Sequence, residues 1–431
     1  MLVRQLFYIN KVMRQQWYTS DKLKEYQNRK LRCMLQHAYN NSSFYHEKFQ
    51  KNNITPDDIH GLEDLHRIPF TSKKEIIDNF PDKIITKNYR FSRLVYKKTS
   101  GSSGLQMTIA TDPRCEDFYD AVYGRALFNL GYRPWQPMAY FWPPTYHRKK
   151  TYEHFFLMRK DWLSSTLSPE RQAAALAALK PGIIYAFPTS LVAIAKIIEK
   201  NRENYKGINP RFIISHAETL FEDSRDYLES VFGCPVYNEY GTTEFVRMAW
   251  ECKERKGLHI DIDSIILEVL KNGKPCRPGE PGEIVLTGIH NYAMPIIRYR
   301  IGDIGVLSDK PCPCGRRLPL LKRVEGRTDS FLVLPSGRII SPRNIVPLIE
   351  KFRQIAEFRL VQEDKDKMVL YIVDNSSAPG DLIARLKKEL YNLIDKEVDL
   401  KIERVTRLEK NERGKMQAVV SKVKLDLFGT P

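Results

Sequence analysis

Between residues 168 and 240 the chain alternates apolar stretches suited to strands with stretches of helical period, and this alternation restricts the possible folds more than anything else in it. Ser168-Pro169-Glu170 starts a helix through RQAAALAAL, which Pro181-Gly182 ends. IIYAF then predicts a strand, SLVAIAKIIEK a helix, RFIIS a strand, EDSRDYLESVF a helix and PVYN a strand. Strands separated by helices imply a mostly parallel α/β sheet, and such sheets gather ligands at the carboxyl ends of their strands. Three segments leave such ends and are expected to be loops: residues 187–190, residues 215–218 (Ser-His-Ala-Glu) and residues 238–244 (Asn-Glu-Tyr-Gly-Thr-Thr-Glu).

The flanking chain is organised differently. Apolar and aromatic residues recur at helical spacing from Asp21 to about Phe49, and Thr55-Pro56-Asp57-Asp58 and Thr71-Ser72-Lys73-Lys74-Glu75 read as helix starts. An apolar helix runs through Phe118, Tyr123 and Leu130 before an aromatic strand at 138–142. Residues 280–330 turn β-rich, with Asp303 expected in a Gly-Asp turn. Beyond Arg327 the chain has its own αβ cycle, of about the common domain size. A length of 431 residues favours more than one core, and the division implied is 1–327 and 328–431.

Composition narrows the class of function. Hydrophobic residues at 42% and aromatics at 11% exclude a disordered chain, and no apolar run reaches the length of a transmembrane helix. The first 20 residues lack both a continuous apolar core and a small-residue cleavage site, so a cytoplasmic location is expected. That segment reads as a helix packed on the first domain or as an amphipathic helix on a membrane surface. The net charge of +17 attracts anions such as nucleotides, coenzyme A or acidic membranes. No helix-turn-helix, RNA-recognition or zinc-finger pattern accompanies it, which argues against nucleic acid as a partner.

Two clusters carry candidate chemistry. Residues 97–112 read KKTSGSSGLQMTIATD, where Thr99, Ser100, Gly101, Ser102, Ser103 and Gly104 form a donor-rich stretch fit either to wrap a polyphosphate or to serve as a linker. No Lys-Ser/Thr pair follows Gly104, so it is not a Walker loop. Seven scattered cysteines do not make a disulfide framework. Cys252 with His259, and Cys312 with Cys314 in a CxCG turn, are two closely spaced ligand pairs. They fit a closed, structural Cys₃His zinc site or, alternatively, ordinary reduced cysteines and a surface histidine. In residues 240–244 an aromatic ring, a glycine, two hydroxyls and Glu244 have the chemistry of a nucleotide and magnesium site, or of a plain polar turn.

Taken in order, TSGSSG, YGTTE, YRIGD, GRTD and RGK resemble the ordered motifs of the adenylate-forming superfamily of acyl-CoA synthetases and luciferases. NSSFYHEKF, LEDLHRIPFTSKKEIIDNFP and the Cys/His segments resemble its phenylacetate-CoA ligase and CapK-like branch. The resemblance covers nearly the whole chain. It implies an α/β fold in two parts: a large N-terminal adenylate-forming domain of mixed sheets and helices, and a small mobile C-terminal α+β domain. It also implies ATP, Mg²⁺, a structural Zn²⁺, and coenzyme A as co-substrate. Thr99 to Gly104 would cradle the β- and γ-phosphates, and Glu244 with Thr242 or Thr243 would hold Mg²⁺. Ala217, Glu218 and Tyr240 would flank adenine, with Gly241 letting the backbone approach the nucleotide, while Asp303 would bind the ribose and Arg327 would assist there. Asp329 would be the pivot of the small domain, and Lys415 would bridge the substrate carboxylate and the α-phosphate.

The chain departs from these relatives in places. Leu105-Gln106-Met107 follows the loop without its usual proline, DSFLVLPSG replaces the second acid and the basic residue of the hinge, and residues 142–147 lack a glycine-rich match to phenylacetate ligases. The resemblance therefore does not single out phenylacetate as the acid. Other relatives by the same resemblance imply adenylylation without coenzyme A, as in F390-synthetase-like or capsule-associated proteins. A non-catalytic nucleotide- or polyanion-binding role for the +17 chain is the further alternative.

Overall fold

The computed structural model describes residues 2–99, 106–142, 158–374, 380–409 and 417–423. The chain forms two compact units: one of Met1–Arg133, Tyr237–Ile301 and Gly305–Arg323, the other of Pro134–Val236, Gly302–Ile304 and Val324–Pro431.

The first unit holds helices Leu2–Gln15, Ser20–Asn41, Ser43–Lys51, Lys73–Asp78 and Pro113–Asn129, and three of them, Ser20–Asn41, Lys73–Asp78 and Pro113–Asn129, begin where a side chain accepts from the first unpaired N–H groups. Thr19 accepts from the Lys22 amide, Ser72 and Glu75 form a reciprocal capping box, and Asp112 accepts from the amides of Arg114 and Cys115. Pro113–Asn129 is buried on nearly every side; Phe118, Val122, Arg125 and Leu127 have almost no exposed surface. A run buried all round shows little amphipathic pattern, which is why its sequence reads only as apolar.

Hydrogen-bonded neighbours in this unit include Ile265–Lys271 with Pro281–Gly288, Val236–Thr242 with Val246–Glu251, Val246–Glu251 with Leu258–Ile260, and Leu258–Ile260 with Leu320–Arg327, all antiparallel. The expected loop at 238–244 is thus largely a strand: pairing continues to Thr242 opposite Val246, and only Thr243 to Phe245 turn. Beneath the strands lies an ionic network that the sequence does not advertise. Arg125 donates to both Asp263 oxygens at 2.6 and 2.9 Å and to Asp261, while Arg247 Nε donates to Asp261 at 2.9 Å. Trp250 Nε1 donates to the same Asp261 at 3.0 Å, and all four charged side chains are 0 to 1% exposed.

In the second unit, Met138–Trp142 pairs in parallel with Lys160–Ser164 on one side and Ile183–Ala186 on the other, and Ile183–Ala186 pairs in parallel with Phe212–His216. The expected αβ rhythm is realised through helices Pro169–Leu179, Pro188–Lys200 and Glu222–Phe232. The other two expected loops are also shorter than read. The helix starts at Pro188, with proline in its first turn, and Ser215 and His216 remain in the strand. After Arg327, helices Pro342–Glu350 and Leu382–Tyr391 cover a four-stranded sheet ordered Asp399–Arg404, Lys367–Asp374, Ile355–Asp364, Val419–Ser421. Its core joins Leu334, Ile345, Leu360, Leu370 and Leu386 to Phe221 of the preceding αβ segment. Among the described residues, no helix is long and apolar enough to cross a membrane.

Candidate active site

In the first unit the phosphate-loop candidate hangs from an antiparallel hairpin of Val95–Lys98 with Thr108–Thr111. Thr99 closes its base: the Thr99 amide donates to the Met107 carbonyl at 2.8 Å, and the Met107 amide donates to Thr99 Oγ1 at 2.9 Å. Ser100, Gly101, Ser102, Ser103 and Gly104 lie outside the described residues, as does Lys415. At the hairpin the Lys97 ammonium pairs with Glu116 at 2.6 Å, a carboxylate that also accepts from Thr111 Oγ1.

The second candidate, Tyr240 to Glu244, sits where Val236–Thr242 ends. The register slips between Tyr240 and Gly241, and Val246 takes the left-handed value φ = 61°. Only glycine fits at 241, since a Cβ there would stand 2.2 Å from the Val246 carbonyl oxygen. Thr242 Oγ1 accepts from the Phe245 amide at 3.3 Å and so shapes the turn that carries Thr243 and the buried Glu244.

The third is the Cys/His set. Cys252 follows the strand Val246–Glu251, His259 lies in Leu258–Ile260, and Cys312 and Cys314 lie in a turn closed by the Gly315 amide donating to the Cys312 carbonyl. One ligand atom from each of the four falls within 4.8 Å of the others. Cys252 and Cys312 sulfurs are 3.6 Å apart, and Cys314 Sγ is 3.3 Å from His259 Nε2. Tetrahedral zinc with bonds of about 2.3 Å to sulfur and about 2.0 Å to nitrogen sets the sulfur–sulfur edge at roughly 3.8 Å and the sulfur–nitrogen edge at roughly 3.5 Å, so the donor set fits the ion. Burial, and then the Arg316 charge, lower the His259 imidazole to about 4, which keeps it neutral and able to ligate at neutral pH. Burial pushes the Cys312 thiol up to about 12 and raises Cys252. At Cys314 burial also pushes upward, but hydrogen bonds from Arg316 and the neighbouring Cys312 bring the thiol below its ordinary value.

In the second unit Asp303 lies inside the strand Tyr299–Leu307 rather than in the expected hairpin turn. Gly302, at φ = 81°, supplies the local break that the Gly-Asp pair suggested. Arg327 Nη1 stands 3.6 Å from the Asp303 carboxylate, and its Nε is 3.3 Å from Asp329, so one guanidinium spans both acids. Thr328 Oγ1 donates to the Gly302 carbonyl at 3.3 Å. Gln417, which carried no signal of its own in the sequence, donates from Nε2 to Asp329 at 3.1 Å and to Ser330 at 2.8 Å.

Ala217 takes φ = 64°, an uncommon conformation for a residue with a Cβ. Beside it, Glu218 accepts from the amide and hydroxyl of Thr189 at 3.1 and 2.8 Å, joining two strand-end segments. His216 stands among the rings of Tyr185, Phe187 and Trp142, with centroids at 4.2, 4.9 and 5.8 Å. Aromatic residues at the ends of successive predicted strands were the available sign of this cluster.

Known proteins share this architecture. A solved 2-hydroxyisobutyryl-CoA ligase, in the postadenylation state in complex with 2-HIB-AMP, superposes with a TM-score of 0.81 at 18% identity, covering 95% of this chain and 91% of that one. The fold is therefore that of the adenylate-forming CoA ligases. Residues 332–422 match the family described as the CapK C-terminal domain. Protein CapK of Staphylococcus aureus is 26% identical over 421 residues, spanning 93% of this chain and 89% of that protein. The phenylacetate-coenzyme A ligase of Thermus thermophilus is 26% identical over 330 residues, 73% of this chain and 72% of that enzyme. The resemblance drawn from the motifs thus holds for the fold and for the relatives.

Proposed function

We propose that the protein activates a carboxylic acid with ATP and transfers the acyl group to coenzyme A. The observation that carries this is the Gly302-Asp303 break facing Arg327 and Asp329, set in the fold of CoA ligases. A carboxylate oxygen attacks the α-phosphorus, a P–O bond forms as the α–β P–O bond breaks, and pyrophosphate leaves. A thiolate then attacks the acyl carbon and AMP departs.

The first step brings two anions together, so it needs cations where charge builds and in-line alignment of the nucleophile. On this reading Thr99 to Gly104 hold the β- and γ-phosphates, and Lys415 bridges the carboxylate and the α-phosphate. Glu244, with Thr242 or Thr243, is the place for Mg²⁺, which would screen the phosphate charge. Asp303 accepts the ribose hydroxyls with Arg327 beside it, and Ala217, Glu218 and Tyr240 flank adenine, with Gly241 letting the backbone approach the nucleotide. Residues 1–327 form the substrate-binding domain and 328–431 the mobile one, with Asp329 as pivot. Cys252, His259, Cys312 and Cys314 hold a structural zinc with every coordination position filled by protein.

Lys415→Ala is expected to abolish acyl-AMP formation while ATP still binds; full pyrophosphate exchange in that variant would sink the assignment. A second reading, adenylylation with an acceptor other than coenzyme A, is favoured by the match of residues 332–422 to the CapK C-terminal domain. Omitting coenzyme A separates the two: a thiol-dependent second product supports the first, and an unchanged product spectrum supports the second.

A further inference from the structure

The first helix, Leu2–Gln15, has two apolar faces, and only one is used by the fold. Its inner face is pinned: Tyr8 meets Phe118 edge-on at 5.4 Å, and Val12 is fully buried among Cys115, Phe118 and Val122. Arg4 pairs with Asp117, and Gln5 Nε2 donates to the same carboxylate at 3.0 Å. These contacts fix the rotation of the helix and leave a second stripe facing water. Val3 is 82% exposed, Leu6 58%, Phe7 63% and, just past the helix end, Trp17 52%. Val3, Leu6 and Phe7 form an exposed apolar patch, which the exposed Asn10 and Arg14 separate from Trp17 on the same face, and patches of this kind mark docking faces.

The charge on this face says what docks there. Residues 2–15 hold no acidic residue; Arg14 lies exposed within the stripe and Lys11 at its edge. Lys11 and Arg29 reach over the Tyr26 ring, with cation–centroid distances of 5.2 and 5.8 Å, and Lys30 reaches over Tyr292 at 5.6 Å. Among the described residues none of these three forms an ion pair. Burial, followed by the nearby Lys11, lowers the Lys30 ammonium to about 8, a sign that the cations crowd one another. Lys11 also faces Asp263, yet cations outnumber acids beside the apolar patch, and such a mix matches an anionic lipid surface, where rings sit at headgroup depth and the basic groups meet phosphates. A second copy fits poorly, because it would bring the same cationic rim and a net charge of +17 against its like.

We propose that the outer face of Leu2–Gln15, with Trp17, docks the protein on an anionic phospholipid bilayer surface. The helix lies along the interface without crossing it. The full chain is sedimented with vesicles of phosphatidylglycerol mixed with phosphatidylcholine, and with phosphatidylcholine vesicles alone. Binding should be at least about tenfold stronger to the anionic vesicles and should weaken about tenfold on raising salt from low to physiological strength. Leu6→Asp with Phe7→Asp should remove it with little change in the thermal melt, because both side chains are mostly exposed and neither belongs to the core. Arg14→Glu should weaken it while leaving the apolar stripe whole. Equal partition to neutral and anionic vesicles overturns the proposal, as does wild-type protein that stays in the supernatant. Mass that doubles with concentration in wild type and not in the Leu6/Phe7 variant, with no vesicle binding, assigns the face to a second copy instead.

Discussion

Replacing Asp263 with asparagine tests the buried ionic network most sharply. Arg125 is fully buried; burial opposes its charge, and Asp263, then Asp261, raise its guanidinium further above its ordinary value. The two arginines and two aspartates balance. Asp263→Asn removes one negative charge, turns an amide NH₂ toward a guanidinium donor, and leaves Arg125 sharing Asp261 with Arg247 at 2.9 Å. One uncompensated buried charge costs about 3 to 5 kcal/mol. Replacing both members by apolar groups, Arg125→Met with Asp263→Leu, leaves the Arg247–Asp261 pair neutral and should recover most of that loss. Urea unfolding followed by tryptophan emission reports on the site directly, since Trp250 donates to Asp261 and is 1% exposed. A single variant within about 1 kcal/mol of wild type, or a double variant no better than the single, refutes the reasoning.

Other changes read out other parts of the molecule. Gly241→Ala forces the Val246 backbone away from a contact of 2.2 Å, and should cost about 1 to 3 kcal/mol and weaken ATP binding; an unchanged melt and affinity contradict this. Cys312→Ser should lower bound zinc from one equivalent toward none and lower the melting temperature, whereas no zinc in either protein by elemental analysis refutes the site. Burial raises the Glu350 carboxyl above the ordinary 4.5, against the opposing pull of Ser224, which donates to it at 2.7 Å, and of Lys196. The folded state therefore holds a proton that the unfolded chain releases. The corresponding stability is present below pH about 4.5 and is lost as pH rises through the raised value. Glu350→Gln should flatten that part of the stability–pH curve, and parallel wild-type and variant curves contradict the assignment.

Much of the architecture was legible because its signals are local. The helices of the αβ region announce themselves by Ser168 and the apolar period, and the strand at 138–142 by its apolar, largely aromatic run, whereas Pro188 was hidden in an expected loop. The CxCG turn was legible as half of a ligand set, and the fold brings the other half to it through the pairing of Leu320 with His259. What escaped is non-local or depends on backbone detail. Arg125 meets partners 136 and 138 residues away, a link no period encodes. Asp303 sits in a strand because Gly302 absorbs the irregularity at a positive φ without ending the pairing, so the same two residues that spell a turn make a break instead. Tyr240 to Thr242 stay in a strand because the facing Val246–Glu251 satisfies their backbone, a partner the segment itself does not reveal.

The central claim, carboxylate activation by ATP, is tested most directly by ATP–pyrophosphate exchange across a panel of aryl, fatty, amino and sugar acids, run with wild type and with Asp303→Ala. Wild type should show exchange that depends on one class of acid. The variant, lacking a charged acceptor worth about 1.5 to 3 kcal/mol per hydrogen bond, should need at least about tenfold more ATP. Exchange with none of the acids, or an Asp303→Ala protein with wild-type dependence on ATP, would contradict the account.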